Sequence, residues 1–163
     1  MSETGQAASS KDKQLDVRLM TPEQRAMAAM ILADATPERT QDAAGHAIEE
    51  FEGTEGSAIF IAWLEGLPIA AYVLTPAQMS VEMPLIAVRP EMRRKGIGRI
   101  IAQDAVRRAG HRPVVVETPE STMPFFTSIG FKKFGRRTGP GGEVRWRVGW
   151  HTPGQRTPTG QTE

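Results

Sequence analysis

Residues 80–117, "SVEMPLIAVRPEMRRKGIGRIIAQDAVRRAGHRPVVVE", leave the fewest choices of fold. The stretch opens on an apolar run of strand length. It passes through Gly96 and Gly98 into "IGRIIAQDAVRRA", where Ile97, Ile101 and Ala105 recur on one helical stripe and Gly110 supplies a stop. It closes on "PVVVE", a short, continuous β-branched run of the kind that forms a strand buried on both faces. A strand, a helix of crossover length and a second strand predict two parallel neighbours with a right-handed connection.

The flanking sequence supplies the other elements. "LDVRLM" reads as a first strand. Thr21, Pro22 and Gln24 form a capping-box signature for a helix to about Ala33, with Glu23 favourable in its first turn. Thr36 and Pro37 repeat that opening for a second helix closed by Gly53, although Arg39 cannot complete the box. "SAIFIAWL" and "PIAAYVL" are strands about the turn Glu65-Gly66. After the crossover come a short helix, "STMPFFTSI", and a closing hairpin, "FKKFG" with "EVRWRVGW". Its last strand sets Val144, Trp146, Val148 and Trp150 against Arg145 and Arg147. The order is βααβββαβαββ. The fold class is α/β (α+β), a mixed, mostly antiparallel sheet with one parallel pair, the fourth and fifth strands, and helices on both faces. One domain is expected over residues 14–150, between polar, small-residue tails at 1–13 and 151–163 expected to be disordered.

Composition removes whole classes of chemistry. There is no cysteine, so disulfides, thiolate-bound zinc and thiol nucleophiles are excluded. His46, His111 and His151 share no metal-ligand spacing, and no metal is expected. A net charge of +1 is too balanced to indicate nucleic acid or an anionic membrane. No apolar run has bilayer length and the N-terminus has no signal-peptide core, so a cytoplasmic location is expected. Asparagine is absent and arginine far outnumbers lysine, as in a GC-rich genome or a warm habitat.

Gly96 and Gly98 stand where a strand turns into a helix. Such a turn aims free backbone N–H groups forward, and the helix dipole adds positive character. Glycine permits positive φ and close approach of a ligand. Arg93, Arg94, Lys95 and Arg99 add side-chain cations, which makes a phosphate cradle. The plain alternative is a basic helix start on a solvated face. A nucleotide P-loop does not fit, because no Ser or Thr follows a Gly-Lys pair, and a dinucleotide fingerprint fails at Ile101. Pro84 lies inside the preceding strand. Lacking an N–H, it marks a bulge or break in pairing in preference to a late strand start.

"VRPEMRRKGIGRII" resembles the acyl-CoA motif of the GNAT superfamily of N-acetyltransferases, Arg/Gln-x-x-Gly-x-Gly/Ala, with Arg93, Gly96 and Gly98 in its places. The element order matches as well, and "PFFTSIGFKKFG" resembles the family's "FYEKLGF" segment. The resemblance covers about residues 15–150. It implies an acyl-CoA donor, acetyl-CoA first, whose diphosphate rests on the N–H groups of Arg94, Lys95, Gly96, Ile97, Gly98 and Arg99. The pantetheine arm would pair like an added strand with Ile86, Ala87 and Val88, and the acyl group would enter where the fourth and fifth strands splay.

Acyl transfer to an amine needs a neutral amine, a polarised thioester and a protonated leaving thiol. A backbone N–H near Leu85 or Ile86 could hold the oxyanion. Glu82 is the candidate base: alternation puts it on the face of Ile86, and the family often carries a base on this strand. A bulge at Pro84 would shift that phase, and a surface carboxylate at a strand start is an equally good reading. Glu117 is the second choice. Glu49, Glu50, Glu52 and Glu55 could draw a cationic acceptor or simply solvate a helix end. The acid is where the sequence departs from the family. Phe126 stands in the place of the usual tyrosine, the only tyrosine is Tyr72, and the family's asparagine after the fifth strand is missing. Water, Thr127 or Ser128 could protonate the thiolate, or a thiol of pKa about 8.5 could leave unassisted. Phe126 would then pack against the acyl arm.

The expected function is N-acetyl transfer from acetyl-CoA, or another acyl-CoA, to a primary amine of a small molecule or protein. The alternatives are a non-catalytic acyl-CoA sensor, and an enzyme acting on a protein or on aminoacyl-tRNA. The RNA version needs a basic groove, for which Arg136, Arg137, Arg145 and Arg147 are candidates beside ordinary solubilising charge. The expected partners are acyl-CoA and an amine, without membrane or nucleic acid, and a homodimer is compatible with the chain.

Overall fold

The computed structural model describes residues 15–150; the tails expected at 1–13 and 151–163 lie outside the described residues. The elements are β1 (Asp16–Leu19), α1 (Arg25–Leu32), α2 (Gln41–Glu52), β2 (Ala58–Leu64), β3 (Leu67–Pro76), β4 (Val81–Val88), α3 (Ile97–Ala109), β5 (Val114–Pro119), α4 (Met123–Ser128), β6 (Lys132–Thr138) and β7 (Val144–Trp150). This is the succession expected. The strands form one mixed sheet in the order β1-β2-β3-β4-β5-β7-β6. β4 and β5 are parallel, paired at Val81↔Val114 and Glu82↔Val115. β1 with β2, β5 with β7 and β6 with β7 are antiparallel. Among the described residues, no helix is long and apolar enough to cross a membrane.

Two compact units divide the chain. One comprises residues 15–73 and 85–101, the other 74–84 and 102–150. In the first, α1 and α2 lay Ala28, Ile31, Leu32, Ala44 and Ile48 on Ile59 and Ile61 of β2, Ala71 and Val73 of β3, and Leu85 and Ala87 of β4. The strand positions alternate, so one face of β2 and β3 is consumed by these helices. Residues of the opposite parity, Phe60 and Tyr72, stack with centroids 5.0 Å apart. The turn joining β2 and β3 has Glu65 at φ 50 and Gly66 at φ 83, the backbone of a type I′ hairpin.

The first helix opens as expected, with Thr21 N–H donating to Gln24 Oε1 at 3.0 Å, although its first turn, Pro22–Gln24, is a 3₁₀ turn. The second helix does not begin at Thr36. Thr36 Oγ1 accepts from Arg39 N–H at 3.0 Å and donates to the Ala33 carbonyl at 2.8 Å, which caps a single turn. Arg39 then takes φ 58 and breaks it. Thr40 is the real cap, its hydroxyl accepting from Ala43 N–H at 3.1 Å. Gly53 ends the helix, as expected.

In the second unit β5 lies beside β7 over its whole length, from Val114↔Trp150 to Pro119↔Arg145. Val114, Val115 and Val116 are buried consecutively, as a strand covered on both faces requires. The β6–β7 ladder carries an irregularity between Lys133 and Gly135. A chain of edge-to-face rings runs from Phe126 to Phe131 to Trp150, each step 5.4 Å between centroids. Gly130 has φ 120, and a Cβ there would stand 3.4 Å from the Trp150 ring. The positive φ favours glycine.

Candidate functional site

The first unit contains the turn between β4 and α3. In β4 burial alternates from Met83 to Ala87, with Met83, Leu85 and Ala87 buried, Pro84 exposed and Ile86 intermediate. The strand begins before Pro84, so a late start is excluded, and the proline does not shift the phase. Glu82, Ile86 and Val88 therefore keep the parity expected of them.

Beyond Val88 a 3₁₀ turn, Pro90–Met92, leads to Arg93 in extended conformation. Arg94 follows at φ 63 and Gly96 at φ 79. The bond from Ile100 N–H to the Gly96 carbonyl, 3.2 Å, opens the helical ladder. The N–H groups ahead of it, those of Ile97 and Gly98 among them, point out of the helix end. Nothing lies within 4 Å of where a Gly96 Cβ would stand. Glycine is thus explained here by its φ alone, and the space beside it is open. Arg94 and Lys95 are exposed.

Arg93 has a different task from its neighbours. Its Nε donates to the Val88 carbonyl at 2.7 Å and its Nη2 to Asp34 Oδ2 at 2.9 Å. The guanidinium folds back onto its own scaffold instead of projecting as a cation.

In the second unit Glu82 and Glu117 belong to a network of arginines. Arg147 Nη2 donates to Glu82 Oε2 at 3.0 Å, and Arg147 Nη1 lies 3.6 Å from Glu117 Oε1. Glu117 also accepts from Arg145 Nε at 3.0 Å and from Arg137. Register explains the meeting: Glu117 lies opposite Arg147, and Arg145 opposite Arg137. Burial pushes the Glu117 carboxyl up, but the hydrogen bonds and charges of Arg137 and Arg145 outweigh it and hold the carboxyl below its ordinary value. Glu117 is therefore the anchor of an ion-pair network and a poor second choice for a base. Glu82 and Glu117 offset two of the three charges of Arg137, Arg145 and Arg147, which weakens the basic groove that an RNA substrate would need.

Replacing Glu117 by Ala leaves Arg137, Arg145 and Arg147 facing one another. The network is part-exposed, so the expected loss is roughly 1–3 kcal/mol, less than for a fully buried pair. The sign with pH follows from the lowered carboxyl. The stabilisation is present above the unfolded-state value and lost as pH falls through the folded one. Urea titrations at pH 7 and pH 3 check this: the gap between parent and Glu117→Ala should narrow at the lower pH.

The sequence model described as the acetyltransferase (GNAT) domain matches residues 55–133, which include the cradle and the parallel strand pair. That stretch of the chain is similar to the GNAT acetyltransferase domain. No curated protein sequence matches it. Solved structures share the GNAT fold at low identity. A GNAT family acetyltransferase from Elizabethkingia anophelis with acetyl-CoA bound is 17% identical, with TM-score 0.62, over 85% of this chain and 99% of that one. An IAA acetyltransferase from Bacillus cereus is 19% identical, with TM-score 0.65, over 85% of this chain and 100% of that one. An aminoglycoside 6'-N-acetyltransferase complexed with coenzyme A is 12% identical, with TM-score 0.72, over 88% of this chain and 99% of that one.

Phe126, expected from the sequence to take the place of the family's tyrosine, is 5% exposed, its ring set edge-on to Phe125 and Phe131. It is a packing residue of the second unit. Tyr72 is fully buried in the first unit and stacked on Phe60, so it does not substitute. Thr127 Oγ1 donates to the Pro124 carbonyl at 3.2 Å and Ser128 Oγ to the Phe125 carbonyl at 2.7 Å. Both hydroxyls are spent on the helix that carries them.

Of the acids proposed to draw a cation, Glu52 pairs with Arg25 at 2.7 Å. Glu49 lines a cleft of about 440 Å³ between α1 and α2, with Asp42, His46 and Arg25. The cleft's only sequence signal is the run of small residues, Ala26, Ala29 and Gly45, that keeps the facing surfaces low.

Proposed function

We propose that the chain is an acetyl-CoA-dependent N-acetyltransferase acting on a primary amine. One observation carries this reading: the turn with Arg94 and Gly96 at positive φ, which sets helix-start N–H groups before open space. That is the construction of an anion site, with exposed Arg94 and Lys95 beside it. Acetyl-CoA and coenzyme A in two structural neighbours support acyl-CoA as the anion. In this reading the N–H groups from Arg94 to Arg99 take the diphosphate. The pantetheine arm lies along Ile86, Ala87 and Val88 as an added strand.

In the transfer the amide C–N bond forms and the thioester C–S bond breaks. The amine loses a proton and the thiolate gains one. We assign the first proton to Glu82. Arg147 takes up one of its oxygens, and a carboxylate has further lone pairs to accept with. Phe126 has no proton to give, so water protonates the thiolate or it leaves as such, its conjugate acid having pKa about 8.5. Glu82→Gln should leave acetyl-CoA affinity unchanged and lower turnover roughly 10²-fold or more. Equal rates for parent and variant would return Glu82 to a structural partner of Arg147.

A second reading, acyl-CoA binding without turnover, is favoured by two observations. Phe126 replaces the acid, and the one carboxylate assigned as base is held by Arg147. Incubation with acetyl-CoA and an amine panel decides between them, with free thiol and product mass followed together. Amine-dependent thiol release supports the enzyme. Tight acetyl-CoA binding without release supports the sensor. Absence of binding sinks both.

A further inference from the structure

The turn that follows α1 is braced from several directions. Ala33–Ala35 is a 3₁₀ turn, and the buried Thr36 bonds both to the Ala33 carbonyl and to Arg39 N–H. Asp34 sits on this brace. Its Oδ2 accepts from Arg93 Nη2 at 2.9 Å, while Oδ1 lies 3.6 Å from Arg39 Nη2. Arg93 meanwhile holds the last carbonyl of β4, that of Val88, at 2.7 Å. Arg93 is also the first residue of the cradle turn, immediately before the left-handed Arg94.

We infer that Asp34 is a positioning residue for the acyl-CoA cradle: it fixes the Arg93 guanidinium against the end of β4, and so fixes the backbone that presents the helix-start N–H groups. The inference rests on the acyl-CoA reading of that turn and adds a residue 59 positions away from the motif. The geometry supports positioning because one guanidinium ties three pieces of backbone together: the braced turn, the strand end and the cradle. Arg93 and Asp34 are part-exposed, with side-chain exposures of 44% and 36%, so their pairing adds little to global stability. What it removes is freedom of the turn, and a turn ordered in advance costs less to order on binding. Lysine at position 93 would not replace the arginine, since a single ammonium lacks the fork that meets carbonyl and carboxylate together.

The test uses the full chain in four forms: parent, Asp34→Ala, Arg93→Met and the double variant. Acetyl-CoA is titrated into each by calorimetry, and ¹⁵N relaxation of the backbone amides at 94–99 is measured without ligand. Asp34→Ala is expected to weaken acetyl-CoA binding about three- to tenfold and to loosen those amides, with melting temperature nearly unchanged. The double variant should bind no more weakly than Arg93→Met, because both changes break one link. Asp34→Glu should recover part of the affinity. Unchanged amide relaxation in Asp34→Ala overturns the inference. So does tighter binding, which would mean that Asp34 competes with the diphosphate for Arg93. Additive losses in the double variant overturn it as well. If the parent itself does not bind acetyl-CoA, the proposed function falls, and the relaxation data alone still decide whether Asp34 holds the turn.

Discussion

Acetyl-CoA at saturating concentration is expected to raise the melting temperature of the parent chain, and Gly98→Asp to abolish the rise. A ligand at a hundred times its dissociation constant stabilises by about 2.7 kcal/mol, and a domain of this size gains roughly 2–4 °C per kcal/mol. The shift should therefore be about 5–10 °C. Gly98 lies in the first turn of α3, directly behind the open N–H groups. An aspartate there puts a side chain and a negative charge where a diphosphate would sit. The ligand-free variant should melt near the parent, because acidic residues suit a helix start. Thermal scans with coenzyme A, acetyl-CoA and longer acyl-CoAs measure both effects. A flat response of the parent to all of them would remove the acyl-CoA reading.

Phe126→Ala is expected to be the most destabilising single change among the site residues named above. The ring is buried and touches Phe125 and Phe131 edge-on, and Phe131 passes the contact to Trp150. Deleting such a ring costs about 3–5 kcal/mol. Phe126→Tyr probes the same place by adding one hydroxyl. In a dry ring cluster that hydroxyl has no partner and should cost roughly 1–3 kcal/mol without raising turnover. Urea unfolding and steady-state rates distinguish the outcomes. A tyrosine variant as stable as the parent and faster would show that the ring edge reaches a wet pocket beside the sulfur.

The sheet was legible because its signals are local. The apolar runs of β2 and β3 about their Glu65-Gly66 turn, the consecutive valines of β5 and the stripe of α3 each follow from turn chemistry or burial within one element. The glycine turn before α3 was legible for the same reason: Gly96 must serve a turn that its immediate neighbours define. What escaped depends on partners far along the chain. Thr36-Pro37 looks like Thr21-Pro22, yet it caps only one turn, because Arg39 adopts a left-handed backbone and Thr40 offers a second cap. Arg93 reads as a phosphate ligand until Asp34 is brought to it. Glu82 and Glu117 read as free acids until β7 delivers Arg145 and Arg147. In each case an ionic or hydrogen-bonding group finds its partner through the fold, and pattern within one segment carries no record of it.

The hairpin between β2 and β3 bears on how such a protein would age. A type I′ turn is most often filled by Asn-Gly, since asparagine tolerates the left-handed backbone at its first central position. Here that position is Glu65, at φ 50, in a chain without a single asparagine. A glutamate held there costs roughly 1 kcal/mol of steric strain. In exchange the turn has no side-chain amide to hydrolyse, and asparagine is among the residues that heat-adapted proteins shed for its thermal lability. The hairpin thus trades a small part of its conformational stability for covalent permanence, which favours a protein that must last over one that must only fold.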